Sequence, residues 1–182
     1  MRASVLIAAL ALAGCQSAEE KHAADTGEIK VVNADIDQVA GLLKAAAPKT
    51  AVKPGLWKAE LRIEDVQAGA NSAAQLRAAK ALERTTTECR TAEQLKPFDI
   101  EKLEKAAGTC TFLRFNSGAG QVDAHIKCSK FEAPVTEIFI KGTTSSTQFD
   151  VATENRSGVA GQPNYAVVKM RSTGTRVGDC KG

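Results

Sequence analysis

The spacing of apolar and polar positions changes character several times along the chain, and each change predicts an element. Ala3 to Leu12 is an uncharged run whose bulk is Val5, Leu6, Ile7, Leu10 and Leu12, behind a positive Met1-Arg2 start. It is too short to cross a hydrocarbon core of ~30 Å as a helix, and with Ala13 and Gly14 after it has the form of an export signal. Residues 16–27 show no apolar periodicity and carry Glu19, Glu20, Lys21 and His22. They predict a flexible tether with a reach of roughly 20 Å, on which His22 is solvated. Glu28 to Val32 predicts a short strand. Ile36, Val39, Ala40, Leu43 and Ala47 then recur at helical spacing. They predict an amphipathic helix capped by Asn33 or Asp35, ended by Pro48 and packed on the domain through that stripe.

From Pro54-Gly55 onward the period becomes two. Trp57, Ala59, Leu61 and Ile63 alternate with Lys58, Glu60, Arg62 and Glu64, which predicts a strand with one buried face and Trp57 as a core anchor. A loop over Gln67 to Ser72 leads to an alanine-rich helix through Leu82, capped by Ser72. Arg84 to Glu88 is β-favouring. Thr91-Ala92-Glu93-Gln94 has the form of a capping box, Asp99 can cap a helix over Ile100 to Ala107, and Gly108 suits the position after it. Cys110 to Asn116 and Gln121 to Cys128 predict a hairpin. A turn centred on Ala119 sets Cys110 opposite Cys128, Phe112 opposite Ile126 and Arg114 opposite Ala124. Val122, Ala124, Ile126 and Cys128 then share one face, and Asp123, His125 and Lys127 share the other with Leu113 and Phe115. Val135 to Lys141 and Thr147 to Asn155 predict a second hairpin turned by Gly142 to Ser146, and Tyr165 to Ser172 a last strand. The fold class is therefore mainly β with accessory helices (α+β). It is a single antiparallel sheet of about seven strands, curved or sandwich-like, with helices at one edge.

Leu12-Ala13-Gly14-Cys15 resembles the lipobox of bacterial lipoprotein precursors. The resemblance implies that Cys15 receives a diacylglycerol, that cleavage occurs before it, and that palmitate-type chains then anchor the mature amino terminus. One acyl chain holds weakly at ~0.8 kcal/mol per CH₂, whereas two or three hold essentially permanently. Gln16, where inner-membrane lipoproteins often carry aspartate, implies an outer-membrane anchor facing the periplasm. Setting Cys15 aside leaves Cys89, Cys110, Cys128 and Cys180, an even set that reads as two disulfides in an exported protein. Directly opposed hairpin positions have Cβ atoms ~4.5–5.5 Å apart, which pairs Cys110 with Cys128 and, by exclusion, Cys89 with Cys180. No C-x-x-C pair occurs, so no metal site is expected.

Removing residues 1–14 takes away Arg2 and leaves 23 basic against 21 acidic residues, a net charge of +2. That is no footprint for nucleic acid, and 4% aromatics provide no base-stacking platform. The chain has no G-x-S-x-G, P-loop, H-E-x-x-H or dinucleotide fingerprint. His125 between Asp123 and Lys127 is the one conceivable base. Alternate positions on one strand more often form a solvated face, as Asp35, Asp37, Glu101 and Glu104 form helix caps and surfaces. No catalytic residue and no cofactor are expected.

Pro54-Gly55-Leu56-Trp57, Thr87-Glu88-Cys89 with Thr91-x-Glu93-Gln94, Cys110, Cys128 and the closing Gly174-Thr175-Arg176-Val177-Gly178-Asp179-Cys180 form an ordered set. It resembles the bacterial exported family called domain of unknown function 3617. The likeness covers Pro54 to Cys180; the alanine-rich helix after the first strand and the segment before Pro54 depart from it. The resemblance implies no catalytic residue. The expected organisation is a signal peptide over 1–14, lipidated Cys15 and tether over 15–27, a strand and helix extension over 28–53, and the β domain over 54–182. The expected function is non-enzymatic: an envelope lipoprotein binding a partner protein or a small apolar ligand. A structural or assembly factor is the alternative, and a hydrolase-type enzyme a distant one. A concave face lined by apolar residues left over from core packing is the feature that would mark ligand binding.

Overall fold

The computed structural model describes residues 17–69, 72–95 and 100–181. The expected export signal, Cys15, Pro97 and the expected cap Asp99 therefore lie outside the described residues. The strands are β1 (Ile29–Val31), β2 (Ala34–Asp35), β3 (Gly55–Ala68), β4 (Arg84–Arg90), β5 (Thr109–Gly118), β6 (Gln121–Ser129), β7 (Thr136–Thr144), β8 (Gln148–Ser157) and β9 (Ala166–Gly178). The helices are α1 (Ala18–Thr26), α2 (Ile36–Thr50), α3 (Ser72–Lys80) and α4 (Ile100–Ala107), with a 3₁₀ turn over Glu93–Leu95. All nine strands join one open antiparallel sheet in the order β1-β5-β6-β7-β8-β9-β3-β4, with β2 also on β5. About seven were expected. The shortest, β1 and β2, span three and two residues, too few for a period of two to be read. No helix among the described residues is long and apolar enough to cross a membrane.

Ladder registers sort the side chains into two faces. Ala124, Ile140, Thr153, Met170 and Ile63 form one row across β6-β7-β8-β9-β3, and Ile126, Ile138, Asn155, Val168 and Val66 form the next row on that face. Between them, on the opposite face, run His125, Phe139, Glu154, Lys169 and Asp65. The first face is apolar and carries α1 and α2; the second is charged and wet. A bulge between Ile63 and Asp65 puts Val66, not Asp65, on the apolar side, so β3 keeps that side apolar beyond the expected end at Glu64.

The hairpin of β5 and β6 shows how two irregularities cancel. Its turn has two residues, Ala119 (φ 48°) and Gly120 (φ 76°), with Gly118 opposite Gln121. That is one residue out of step with a turn centred on Ala119. A bulge between Phe112 and Arg114 absorbs the difference, so Phe112 still faces Ile126 and Cys110 still faces Cys128. Between bulge and turn the expectation fails: Arg114 faces His125, and Phe115 faces Ala124. Phe115 consequently lies on the buried side, edge-on to Phe112 at 5.6 Å, not on the face shared with His125.

The expected tether is a helix. Ser17 Oγ accepts from Glu20 N at 3.1 Å and the Glu20 carboxylate accepts from Ser17 N at 3.1 Å, which is a complete capping box. Gly27 closes α1 in the left-handed region (φ 78°), its N–H donating to Ala23 O at 2.8 Å. Ala23 is fully buried beneath α2. Small alanines hid the apolar face of α1. In α2, Asp35 is the cap, accepting from Gln38 N at 2.7 Å. The buried stripe is Ile36, Val39, Leu42 and Ala46, with Leu43 half-buried and Ala47 exposed, one residue off the expected stripe at its carboxyl end. Pro48 does not end α2: it sits in the last turn, where its missing N–H removes one bond, and the helix runs to Thr50.

Together Ile29, Val31, Ile36, Val39 and Leu42 from the first fifty residues pack with Phe112, Phe115, Ala124 and Ile126 into one core. Ile100 and Leu103 of α4 close its side. α3 lies on β3 and buries no residue completely; its Ser72 hydroxyl accepts from Ala68 N at 2.8 Å inside the preceding turn and does not cap the helix. The expected capping box at Thr91 is present: Thr91 N donates to Gln94 Oε1 at 2.9 Å, and Gln94 N donates to Thr91 Oγ1 at 3.4 Å.

Candidate functional site

The apolar face is not filled along its whole length. β5 and β4 stand six steps apart in the sheet, which would separate them by roughly 28 Å were the sheet flat. Yet Phe115 and Val122 of the β5–β6 hairpin and Arg90 of β4 line the same cavity. The sheet therefore curls into a trough, and α2 and the 3₁₀ turn close over one end of it. The cavity holds about 600 Å³ and its floor is Val122, Ile140, Phe149 and Val151. Ile29, Leu43 and Ala46 form one wall and Leu95 the other, while the tips of the two hairpins, Gly118 to Gln121 and Thr144 to Ser146, form the rim. Main-chain bonds hold the rim: Thr144 N donates to Gly120 O at 2.9 Å, and Lys53 N donates to Ser146 O at 2.8 Å. Ile140, Phe149 and Val151 remain only half-buried.

Phe149 is set by its neighbours. Its ring lies over Gly174, where a Cβ would come within 2.2 Å of ring carbon Cε1, and it stacks on Trp57 at 6.0 Å. Trp57 is fully buried and donates through Nε1 to Lys53 O at 3.0 Å. Any side chain at Gly174 would lift Phe149 into the trough.

The opening and closing segments that carried the resemblance meet at this same end. Gly55 has φ 145°, and a Cβ there would strike Gly178 O and the Arg176 guanidinium. Arg176 Nε donates to Pro54 O at 2.8 Å, and Arg176 also pairs with Asp179. Leu56 lies between Gly178 on β9 and Cys89 on β4, and Cys89 is bonded to Cys180 across a Cα separation of 5.6 Å. The P-G-L-W and G-T-R-V-G-D-C segments are thus two halves of one latch that ties β4, β3 and β9 together beside the trough. A family model described as "Protein of unknown function (DUF3617)" matches residues 52–180. The chain belongs to the DUF3617 family. No curated protein and no solved structure matches the chain.

The DUF3617 match begins at Val52, after α1, β1, β2 and α2, so Ile29, Leu43 and Ala46 of the trough wall come from outside it. Within the DUF3617 domain both expected disulfides are present. Cys110–Cys128, with Cα atoms 4.1 Å apart, is buried in the core, and Cys89–Cys180 is exposed.

Asp123 is engaged by Arg114 at 2.7 Å, so it does not orient His125. The imidazole stacks on Phe139 at 4.2 Å, and Arg156 lies 4.5 Å from the same ring. Its Nε2 is buried without a hydrogen-bond partner, the nearest carboxylate being Glu137 at 3.6 Å. The group sits on the charged face, away from the trough. His22 is exposed on α1. Among the described residues no cluster of three or more His, Cys, Asp or Glu side chains is placed to hold a metal ion. Sequence reasoning missed the trough residues themselves. Ala46 and Leu95 fall outside every pattern read above, Phe115 was expected on the face shared with His125, and no local pattern distinguishes a floor with a roof from one without.

Proposed function

We propose that this DUF3617 protein is an exported, lipid-anchored binding protein that holds a small apolar molecule in the trough and performs no chemistry on it. The cavity carries the reading: about 600 Å³ is well inside the ~300–1,000 Å³ range of small-molecule sites, and its floor is aliphatic and aromatic. Half-buried Ile140, Phe149 and Val151 are apolar area that folding leaves uncovered. A ligand covering them gains about 0.8 kcal/mol per buried CH₂. Anchoring at Cys15 rests on the Leu12-Ala13-Gly14-Cys15 motif, and the two disulfides suit an oxidising compartment. Gln16 directs the anchored protein to the periplasmic side of the outer membrane. With α1 beginning at Ala18, only Gln16 and Ser17 separate the anchor from the folded body, which holds the trough close to the lipid surface.

Native mass spectrometry of the lipoprotein extracted from its own envelope tests this. The expected result is a non-covalent adduct of small-molecule mass that is absent from Val151→Glu, which places a charge on the trough floor. An empty wild-type protein, or the same adduct on Val151→Glu, counts against the trough. A specific crosslinked envelope neighbour in place of an adduct would favour a partner-binding or assembly role.

A further inference from the structure

We infer that the trough takes a single-chain amphiphile with an anionic head, and that Lys49 and Arg90 at its mouth hold that head. This rests on the apolar-ligand reading above and names the class of ligand. Among the described residues every charged side chain lining the cavity is a cation: Lys49 from the last turn of α2 and Arg90 from the end of β4, with no described Asp or Glu in the lining. The two come from opposite margins of the sheet. α2 packs over β1, β2 and β5, whereas β4 is the far edge, so only the curl of the sheet brings them to one opening.

Their local chemistry fits an oxyanion. Arg90 donates through Nε at 3.0 Å and Nη2 at 2.8 Å to one oxygen of Glu88, a residue outside the lining. That contact fixes the guanidinium plane and leaves Nη1 and the second Nη2 hydrogen without a partner among the described residues. Lys49 has no carboxylate partner among the described residues and is exposed at the rim. Ser146 adds a hydroxyl to the same rim, whereas Thr50 and Ser145 donate theirs to Ala46 O and Gln148 O, each at 3.2 Å. Below lies the floor of Val122, Ile140, Phe149 and Val151, with Ser172 beside Val151. A neutral apolar molecule would make no use of two cations there, and a cationic one would be repelled; a carboxylate or phosphate gains charge-assisted hydrogen bonds while its chain covers the floor.

The test uses the complete mature chain with Cys15→Ser, so that no attached acyl group competes, titrated calorimetrically with four oleyl probes. Oleate carries a carboxylate and monooleoyl glycerophosphate a phosphate; oleyl alcohol and monoolein are neutral. Tighter binding of either anionic probe than of both neutral ones, by about tenfold, is the expected result, and which anion wins separates a free fatty acid from a lysophospholipid. Lys49→Gln with Arg90→Gln should abolish that preference while leaving oleyl alcohol affinity unchanged. Equal affinity for oleate and oleyl alcohol, or a preference that survives the double variant, overturns the head-group assignment and leaves the trough standing. Failure of all four probes to bind overturns the trough reading itself. Intact disulfides by mass and an unchanged far-ultraviolet spectrum show that the double variant is folded.

Discussion

The two halves of the sheet use the same kind of surface differently. Under α1 and α2, the β5–β6 hairpin presents Phe112, Ala124 and Ile126, and all three are covered to 1% exposure or less. Across β7, β8 and β9 the same face presents Ile138, Ile140, Phe149, Val151 and Met170, none of which is fully buried. The disulfides follow the division. Cys110 and Cys128 are 3% and 1% exposed, while Cys89 and Cys180 lie open at the latch. One half has been closed by an extension that precedes the DUF3617 match; the other keeps apolar area available. The difference marks where stability is concentrated and where the protein has room to bind.

Truncation should separate the halves most clearly. Phe112→Ala leaves a cavity in the closed core and is expected to cost about 3–5 kcal/mol. Val151→Ala, on the open floor, should cost about 1 kcal/mol or less, because its surroundings are already partly wet. Urea unfolding followed by far-ultraviolet circular dichroism measures both. Comparable losses would mean that the open half is as well packed as the closed one.

Reduction offers the next largest contrast. Cys89–Cys180 closes a separation of 91 residues and Cys110–Cys128 one of 18, for loop contributions of about 4.5 and 3 kcal/mol in the chain-entropy model. The longer, exposed bridge should open first under mild dithiothreitol. Alkylation and peptide mapping would then find Cys89 and Cys180 labelled while Cys110 and Cys128 remain joined. Early labelling of the hairpin pair would contradict the burial that distinguishes the halves.

The smallest effect lies on the wet face of the open half. The Arg171 guanidinium, donating two bonds of 2.7 Å, holds the Asp150 carboxyl below its ordinary value, against a lesser opposing push from partial burial. A carboxylate lowered on folding contributes stability above its unfolded pKa of about 3.9, and that contribution fades as pH falls through the lower folded value. Asp150→Asn should therefore slightly weaken the protein at neutral pH and flatten the acid limb of its stability profile. Exposure of both partners keeps this well below the effect of reduction. A thermal melt series from pH 2 to 7 would show it, and an unchanged acid limb would remove the pair from the account.

Much of the architecture could be read from local pattern. Alternation along β3 located its strand, and the opposed positions of Cys110 and Cys128 predicted both bridges correctly. That success was partly compensation: the two-residue turn at Ala119-Gly120 and the bulge near Leu113 are each off by one and cancel at the disulfide, but not at Phe115. The helix over Ala18–Thr26 was written in Ser17-Ala18-Glu19-Glu20, and an alanine face obscured it.

By itself the sequence determined which segments alternate and where the cysteines pair. These are properties of neighbours in the chain, set by periods of 2 and 3.6 and by fixed spacings. The tertiary structure alone decided that Phe149 rests on Gly174, that Pro54 and Arg176 meet, and that Lys49 and Arg90 line one cavity. Each joins residues far apart in the chain, through strand order and the accumulated curl of the sheet. No local pattern records that curl, because bulges and twist add up over many strands before they enclose a space.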